Sequence, residues 1–476
     1  MNVRSVDERT AILLITAIAV IDRLAVLWQP MRYDESVTWA YFVGRSWSTI
    51  VSSYQFPNNH VFFSLLAKMT SSVAPFQPWA LRLPAFLAGV AVVALTWAVG
   101  RRFATPAVGL LGAALAAGST TLVLYSTNAR GYSLVVALFL ALLLLADRLR
   151  SSRRLSHWAT FVVMGAVGLY TIPVMLYPLG IVVVWLLLAS RQTSGAERRG
   201  LGIRTVVAAL AAGALALVCY VPIIRNAGLG ALAGNKFVEP SPWPTFIADI
   251  PRHLVETMLT WSSPFPWWAA PLLLLLAVAG LRRIEPASRP SLVLASALWC
   301  GVLLVATHRA PFVRVWLFLL PLFHLAVARG IVRVARRTRI HHALVSPTAA
   351  TALAALVASL ALLGDTVRRS GDTGAFRSAR EVTERLKDSL RPGDRVLAPI
   401  PTNGPLLYYF RARGLDTALL NTPPESTRRA FLVLDPARGR TLDWAISVGM
   451  IDPAAYATPI LLLRREDVEL WSSDRR

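Results

Sequence analysis

Long apolar blocks separated by short polar loops dominate the chain up to about residue 364. Blocks of this length cross the roughly 30 Å hydrocarbon core of a bilayer as helices. The first block has no small-residue cleavage site after it, so we expect it to be a retained helix. The predicted fold class is mainly α, a polytopic membrane protein with about 11 transmembrane helices. These lie at residues 11–28, 84–100, 106–124, 131–146, 157–170, 172–189, 203–221, 267–281, 291–306, 312–329 and 343–363.

The loops between these blocks alternate in arginine content. The arginine-rich loops read RRFATP, DRLRSSRR, RQTSGAERRGLGIR, LRRIEPASR and RGIVRVARRTRIHH. Because such loops remain on the cytoplasmic side, the pattern predicts a cytoplasmic N-terminus and an extracytoplasmic C-terminus. It also favours two helices on either side of YTIP at 170–173, since one broken helix there would invert every later loop. We expect a multi-pass protein of a bacterial cytoplasmic (inner) membrane.

The first outer loop, from Trp28 to Arg82, has a helical periodicity of its own. A helix with one apolar face is typical of a membrane interface. We therefore predict an interfacial helix, interrupted near Gly44, and a second one in HVFFSLLAKM. The apolar positions of the first helix are Val37, Ala40, Tyr41, Val43, Trp47 and Val51.

The last part of the chain changes character at Asp365, where charge rises and short alternating apolar runs begin. RSAREVTERLKDSL predicts an amphipathic helix that ends before the turn RPGD, and DRVLAPI, AFLVLD and TPILLLRRE predict strands. This order of helix and strands predicts a small extracytoplasmic α/β domain. The predicted domains are residues 1–364, in the membrane, and residues 365–476.

Composition agrees with a membrane protein: 55% of the 476 residues are hydrophobic, only 16% are charged, and the mean hydropathy is +0.53. The net charge of +23 does not indicate a nucleic-acid partner. Lys68, Lys236 and Lys387 are the only lysines, and much of the arginine lies in loops between apolar blocks. Cys219 and Cys300 both lie in apolar blocks, so the sequence predicts no disulfide framework.

Two adjacent carboxylates, Asp34 and Glu35, follow the first apolar block on its predicted outer side. One interpretation is helix capping, because an acidic side chain accepts hydrogen bonds from free backbone N–H groups. The other is general-base catalysis at the membrane boundary, with a divalent cation as an open alternative, since a partly desolvated carboxylate takes a proton more readily. The two roles are compatible, with one residue serving each.

An ordered set of motifs resembles the GT-C membrane glycosyltransferases. After the Asp-Glu pair come PNNHVFFSLL with WALRLPAFLAGV, then YSTNARGYSL, then PFVRVWLFLLPL, so that residues 11–330 are covered. The chain is similar to bacterial relatives of dolichyl-phosphate-mannose–protein mannosyltransferases and of the lipid A aminoarabinose transferase. The resemblance implies inverting sugar transfer from a polyprenyl-phosphate donor, with Asp34 as catalytic base. Many members carry another acid where Asn128 stands, which argues against a two-carboxylate or strongly metal-dependent mechanism.

Such a donor needs cations beside its phosphate, because the phosphate becomes the leaving group. Arg82, Arg130 and Arg314 each lie at the predicted outer end of a helix, and arginine matches phosphate bidentately. Lys68 is a weaker fourth candidate. The alternative is that these arginines anchor helix ends at the membrane surface.

Two polar stretches are candidates for substrate binding. Asn58, Asn59 and His60 form a polar group between apolar runs, and the alternative is a turn with a helix cap. Asn128 and Tyr132 flank Arg130 in a tight loop and are assigned to the same substrate.

A second acidic group lies in ADIPRHLVE. Asp249, His253 and Glu256 share one helix face and offer ligands to a divalent ion, but Asp249 before Pro251 is more simply a helix start, so we predict no metal there. Several tryptophans are expected in an interfacial belt rather than in a sugar platform. These are Trp243, Trp261, Trp267 and Trp268.

The sequence therefore predicts a hexosyl- or pentosyltransferase that moves a sugar from a polyprenyl phosphate to a glycan, lipid or protein acceptor. One rival is a polymerase or ligase that uses lipid-diphosphate donors, for which the outer loop after 203–221 is short. The other rival is a flippase or transporter of lipid-linked saccharides. Transporters place ionisable residues at mid-membrane, where only Asp22 and Arg23 are candidates here.

Overall fold

The computed structural model describes residues 6–192, 195–234, 238–281, 291–337, 341–420 and 427–476. The chain divides into two compact units. The first, the membrane unit, comprises Met1–Val26, Trp47–Ala67 and Arg82–Val367. The second, the C-terminal unit, comprises Leu27–Ser46, Lys68–Leu81 and Arg368–Arg476, and thus includes two stretches from the first outer loop. The predicted domain boundary between residues 364 and 365 stays a prediction.

Helices dominate both halves of the chain. In the first half they are α1 (Glu8–Leu27), α2 (Tyr33–Thr38), α3 (Trp47–Ser52), α4 (Val61–Val73), α5 (Pro78–Phe103), α6 (Pro106–Ala117), α7 (Thr120–Ser126), α8 (Tyr132–Leu149), α9 (Leu155–Thr171) and α10 (Leu176–Ser190). In the second half they are α11 (Gly195–Ala227), α12 (Gly230–Ala233), α13 (Trp243–Ser262), α14 (Ala269–Leu281), α15 (Leu292–Thr307), α16 (Leu320–Ala335), α17 (His341–Leu344), α18 (Pro347–Leu363), α19 (Thr366–Arg369), α20 (Ala379–Ser389), α21 (Asn403–Ala412) and α22 (Leu442–Ser447).

The length and apolar composition of several helices agree with a multi-pass membrane protein. Within the described ranges, six stretches are long and apolar enough to span a bilayer: α1, α5, α8, α11, Pro173–Ser190 and Val313–Ala335. The last two begin with 3-10 turns, Pro173–Met175 and Val313–Leu319. The apolar helices α14, α15 and α18 are shorter. The mainly helical membrane fold is confirmed, and a total of eleven crossings stays a prediction.

The block at 106–124 is not one helix. Helices α6 and α7 bend by 65° across Gly118 and Ser119. Ser119 has an extended backbone, with φ −60° and ψ 117°, which interrupts the helical hydrogen bonds. The side chain of Thr120 accepts a hydrogen bond from the Ser263 hydroxyl at 2.9 Å, so α7 begins against the residues that follow α13.

Asp22 and Arg23 are ionisable residues in the apolar part of α1, and the structure explains the position of Arg23. Arg23 is fully buried and its Nη1 donates to the carbonyl of Ala117 at 2.7 Å and to that of Ala19 at 3.1 Å. Ala117 ends α6, so the guanidinium satisfies a carbonyl that the helix leaves without a partner. Asp22 is also fully buried. Arg23 therefore stabilises the bend between α6 and α7.

The C-terminal unit contains the predicted α/β fold. In its described residues the sheet has four strands in the order β1-β2-β4-β3: β1 (Asp394–Leu397), β2 (Arg429–Leu434), β3 (Ile460–Arg465) and β4 (Val468–Asp474). β1 and β2 are parallel, and the other pairs are antiparallel. Leu432 and Leu434 pack with Ala445 of α22 in a buried core. The amphipathic helix expected from RSAREVTERLKDSL is α20, and three of the four strands were predicted.

The helices of the first outer loop are shorter than their periodicity suggests. Helix α2 continues into a π-helix at Trp39–Val43, and the chain then turns at Gly44 before α3 begins. The predicted interruption near Gly44 is confirmed. The second predicted helix is α4.

Candidate active site

The motif at 57–60 forms a turn between α3 and α4. The backbone N–H of Asn59 donates to the carbonyl of Phe56 at 3.2 Å. The side-chain amide of Asn59 donates to the carbonyls of Ile50 and Ser53, each at 2.8 Å. These carbonyls lie at the end of α3, where a helix has no partners of its own for them. Asn59 therefore fixes the turn and closes α3.

His60 joins this turn to the loop between α7 and α8. Its Nδ1 accepts a hydrogen bond from the backbone N–H of Gly131 at 2.8 Å. A Cβ at residue 131 would lie 2.6 Å from the Thr171 side chain and 3.2 Å from Nδ1 of His60, so only glycine allows this approach. Since Nδ1 is an acceptor, a neutral His60 carries its proton on Nε2. The structure thus brings the two candidate substrate-binding stretches together.

Arg130 is almost completely buried in the same place. Its Nη1 donates to the carbonyl of Asn58 at 3.4 Å, and its guanidinium lies 5.9 Å from the ring centre of Tyr132. The Tyr132 ring in turn contacts the His60 ring edge-on, with 5.2 Å between centres. The backbone carbonyl of Asn128 accepts a hydrogen bond from the backbone N–H of Arg130 at 2.7 Å, which tightens the loop.

The electrostatics of this region are dominated by burial and by arginine. Burial lowers the pKa of His60 well below its usual range, and the charges of Arg130 and Arg314 lower it further. Burial raises the pKa of Tyr54 to about 12, although the charge of Arg130 opposes the rise. We refer to Tyr54, His60, Arg130 and Tyr132 as the His60 cluster. At neutral pH the cluster therefore presents the guanidinium of Arg130, the neutral imidazole of His60 and the protonated phenol of Tyr54.

Within the part of the chain that the structure describes, Nε2 of His60 is buried and has no hydrogen-bond partner. A buried donor without a partner costs about 1–3 kcal/mol. A polar ligand that accepts from Nε2 would remove this cost. The cluster therefore combines a positive charge with an N–H group that can bind an anion or a sugar oxygen.

The other predicted arginines are placed by different elements. Arg82 is fully buried in α5. Arg314 lies in the 3-10 turn Val313–Leu319, with its guanidinium 4.2 Å from the ring centre of Phe312. The charge of Arg314 acts on His60, so Arg314 contributes to the same positive region.

The two carboxylates of the opening motif lie in α2 of the C-terminal unit. Oε1 of Glu35 accepts from the backbone N–H of Arg32 at 2.9 Å, the residue before the helix. Glu35 is fully buried, whereas Asp34 is partly exposed. One carboxylate of the pair therefore caps the helix, and it is Glu35. The Asp34 side chain is partly exposed, and its Oδ2 atom is buried.

Residues far along the chain hold α2 in place within the C-terminal unit. The backbone N–H of Tyr33 donates to the carbonyl of Gly374 at 2.9 Å, and that of Asp34 donates to Thr373 at 3.2 Å. The buried guanidinium of Arg32 donates through Nη1 to the carbonyls of Ser370 and Asp372, each at 2.9 Å.

Two further contacts concern the same helix. The Tyr409 hydroxyl accepts a hydrogen bond from the backbone N–H of Met31 at 3.1 Å. Burial raises the pKa of Tyr33, and the charge of Asp34 raises it further. The phenol of Tyr33 therefore stays protonated beside the Asp34 carboxylate.

Lys68 also belongs to the C-terminal unit. Its Nζ donates to the carbonyl of Val43 at 3.0 Å and, over a short contact, to that of Arg45. These carbonyls end the π-helix that follows α2. These two hydrogen bonds of Lys68 stabilise the backbone, and its predicted role in binding phosphate stays a prediction.

The acidic group in ADIPRHLVE does not begin a helix, so that interpretation was wrong. Helix α13 starts at Trp243 and continues through Pro251. Asp249 instead pairs with Arg252 at 3.0 Å, and Nε2 of His253 accepts from Nε1 of Trp316 at 2.9 Å. In the described ranges no group of three or more histidine, cysteine or acidic side chains is arranged to hold a metal ion.

Sequence reasoning missed two residues that the structure places in these regions. Tyr54 precedes the PNNH motif and is buried beside Arg130, and its aromatic ring just before a polar turn was the available signal. Arg32 precedes the Asp-Glu pair, but nothing local distinguishes it from an interfacial arginine. Its role depends on carbonyls 338 and 340 positions away.

One part of the chain matches a known protein family. Residues 59–225 match the family model described as dolichyl-phosphate-mannose-protein mannosyltransferase. This range contains His60, Arg130 and Tyr132, and leaves out α2. No curated protein matches the chain.

Solved structures extend the likeness to nearly the whole chain. The crystal structure of ArnT from Cupriavidus metallidurans in the apo state is 12% identical, with a TM-score of 0.59 and coverage of 97% of each chain. The structure of the same protein bound to undecaprenyl phosphate is 14% identical, with a TM-score of 0.56 and the same coverage. The fold of this chain is therefore similar to that of ArnT over nearly its whole length, and residues 59–225 match the mannosyltransferase family model.

Proposed function

We propose that this protein is a glycosyltransferase that moves a single sugar from a polyprenyl-phosphate donor to an acceptor on the outer side of the cytoplasmic membrane. The observation that carries the proposal is the His60 cluster, a buried cation with a neutral N–H donor. The cluster lies inside the range that matches the mannosyltransferase model. A protein of the same fold has been crystallised with undecaprenyl phosphate.

The His60 cluster can stabilise a phosphate as the leaving group. When the bond between the anomeric carbon and the phosphate oxygen breaks, the phosphate takes the electron pair and its negative charge grows. In a buried site a fixed guanidinium stabilises that charge far better than in water. Arg130 supplies the charge, Nε2–H of His60 a neutral hydrogen bond, and Arg314 a more distant positive charge. Arg82 is proposed as a further phosphate ligand.

The acceptor supplies the second half of the reaction. Its hydroxyl oxygen attacks the anomeric carbon from the face opposite the phosphate, so the configuration at that carbon inverts. The hydroxyl proton passes to the Asp34 carboxylate, which acts as general base. Glu35 keeps the helix that carries Asp34 intact. In this proposal the arginines neutralise the leaving group, so a divalent cation is dispensable and EDTA should leave turnover unchanged.

The test is product formation by the purified protein in nanodiscs. A panel of undecaprenyl-phosphate hexoses and pentoses, each with a radiolabelled sugar, is offered with an extract of envelope glycans, lipids and proteins. We expect one donor to give a labelled product with an inverted linkage. If every donor stays intact while the protein remains folded and monodisperse, the proposal is wrong. Transfer from a lipid-diphosphate saccharide, with none from any monophosphate donor, would favour the rival polymerase or ligase.

A further inference from the structure

The C-terminal unit has a groove bordered by the start of α20, by the turn between β3 and β4, and by the residues that directly follow α1. Its volume is about 630 Å³. Sites for small molecules usually have volumes of about 300–1,000 Å³, so the groove has room for a ligand of several rings.

Trp28 forms the apolar part of the groove. Its side chain is 55% exposed although it lines a concave surface. An indole ring offers a broad rigid apolar face and one N–H donor. A ligand that covers such a ring needs an apolar face of its own, and the pyranose and furanose rings of sugars have one, formed by their C–H groups.

The polar part of the groove consists of ion pairs. Glu381 and Arg465 meet through two contacts, of which Nε to Oε2 is 3.1 Å. Arg377 and Glu466 pair at 3.0 Å. The side chains of Glu381 and Arg465 are about half exposed. Exposed pairs of this kind add only about 0–1 kcal/mol to stability, so folding alone does not require them.

These pairs decide which chemistry the groove can bind. Among the described residues that line it, three arginines face four carboxylates. A phosphate or an anionic headgroup would be repelled by the carboxylates, and a lone cation would compete with guanidinium groups already in place. A hydroxyl group both donates and accepts, so neighbouring hydroxyls can bind a carboxylate and a guanidinium together. A neutral polyol fits this lining better than an ion.

We propose that this groove binds the saccharide part of the acceptor. One sugar ring covers Trp28, and its hydroxyls bridge the Glu381–Arg465 pair. The inference rests on the proposed function, because it assigns the acceptor to the glycan class. A free glycan and a glycan attached to a lipid or a protein share this chemistry, so the experiment must separate these sources.

Saturation-transfer NMR on the full-length protein in nanodiscs tests the groove without any donor. The probes are mannotriose and an arabinofuranosyl trisaccharide, each free and each on a short-chain glycolipid. We expect transfer to at least one trisaccharide, and a loss of about tenfold or more in Trp28→Ala and in Glu381→Gln. Trp268→Ala is the matched control, since Trp268 is also an exposed tryptophan beside an apolar helix. Saturation transfer to the glycolipid forms alone would indicate that the acceptor is a lipid-linked glycan.

Three results overturn the inference. The first is the absence of saturation transfer from the wild-type protein to any probe, and the second is equal binding by Trp28→Ala and Trp268→Ala. The third is displacement of a bound trisaccharide by inorganic phosphate, because the groove would then be an anion site. If no trisaccharide binds but the enzyme still transfers sugar from a donor, only the proposed groove is refuted. If a trisaccharide binds but no donor sugar is transferred, only the proposed function is contradicted.

Discussion

The His60 cluster and the helix that carries Asp34 are held in place by different kinds of bonds. In the cluster, buried side chains bond two loops of the membrane unit to each other: His60 accepts from Gly131, and Arg130 donates to Asn58. In α2, the backbone itself is bonded to a C-terminal segment, at Thr373 and Gly374. The cluster thus owes its chemistry to burial and charge, whereas Asp34 owes its position to a distant part of the chain.

This difference separates two classes of mutation. Substitutions in the cluster should change affinity for an anionic donor or the titration of a buried group. Substitutions around α2 should change turnover, even where the altered residue lies more than 300 positions away.

Asp34→Asn should reduce turnover by about 10²–10⁴ while donor affinity and folding are retained, because the amide has nearly the same shape but cannot take a proton. Turnover and donor binding are measured on the purified variant. Asp443→Asn is the matched control, since Asp443 also lies in the first turn of a short helix of the C-terminal unit. Glu35→Gln should have a smaller effect on turnover than Asp34→Asn. Wild-type turnover in Asp34→Asn would show that the base lies elsewhere.

Arg130→Lys should raise the KM for the donor by about tenfold to a hundredfold, and leave the KM for the acceptor unchanged. A lysine keeps the charge but loses the two-pronged geometry, and a hydrogen bond to a charged group is worth about 1.5–3 kcal/mol. Steady-state kinetics with each substrate varied in turn provide the measurement. Arg101→Lys is the control, because Arg101 lies in the last turn of α5 and outside the His60 cluster, and it should behave as wild type. Equal changes in both KM values would remove Arg130 from the donor site.

Gly374→Ala should lower turnover severalfold to about tenfold, because small displacements of a catalytic group are costly. Gly374 has φ +73°, and a Cβ there would lie 2.5 Å from Cβ of Tyr33 and 2.9 Å from Pro401. Helix α2 would have to move. Gly449→Ala controls for backbone strain, since Gly449 has φ +68° and nothing within 4 Å of an added Cβ. If both variants lose the same stability and neither loses turnover, the placement of Asp34 does not depend on this segment.

The smallest effect concerns pH and the His60 cluster. The folded-state pKa of His60 lies below its unfolded value, so its contribution to stability is complete above about pH 6.5 and is lost as pH falls. The loss amounts to at most about 1.4 kcal/mol per pH unit. Thermal unfolding midpoints between pH 7.5 and 5 are compared in the wild type and His60→Asn. Asn places an acceptor where Nδ1 lies but does not titrate, so its midpoint should fall less; parallel curves would contradict a buried neutral His60.

Several parts of the fold were predictable because their signal is local. Apolar blocks of membrane length, the amphipathic pattern of α20, and the alternation of β1, β2 and β3 are each visible in a few consecutive residues. Helix α21 and strand β4 are among the elements that were not predicted. The sequence NGP at 403–405 is typical of a turn, yet it begins α21, because a proline in the first turn of a helix loses no hydrogen bond. β4 contains few apolar residues, with Val468 and Leu470 as its buried ones.

The candidate site was predictable in part for the same reason. PNNH and NARGY are polar stretches between apolar helices. Polar residues in such a position are visible in the sequence without knowledge of the fold. Their meeting through His60 and Gly131 was not visible, because a contact across 71 positions leaves no periodicity in the chain. Tyr54 was missed since one tyrosine in a loop has no pattern.

Three features could be read from consecutive residues: that the chain spans a membrane, which polar motifs interrupt the apolar blocks, and where the C-terminal α/β region begins. Each of these follows from the solvent preference of neighbouring residues. Three others required the folded chain: that His60 is a neutral donor beside Arg130, that Glu35 caps α2, and that residues 370–374 hold this helix. Burial and hydrogen bonds between distant segments produce these properties, and neither is encoded in any short stretch of the sequence.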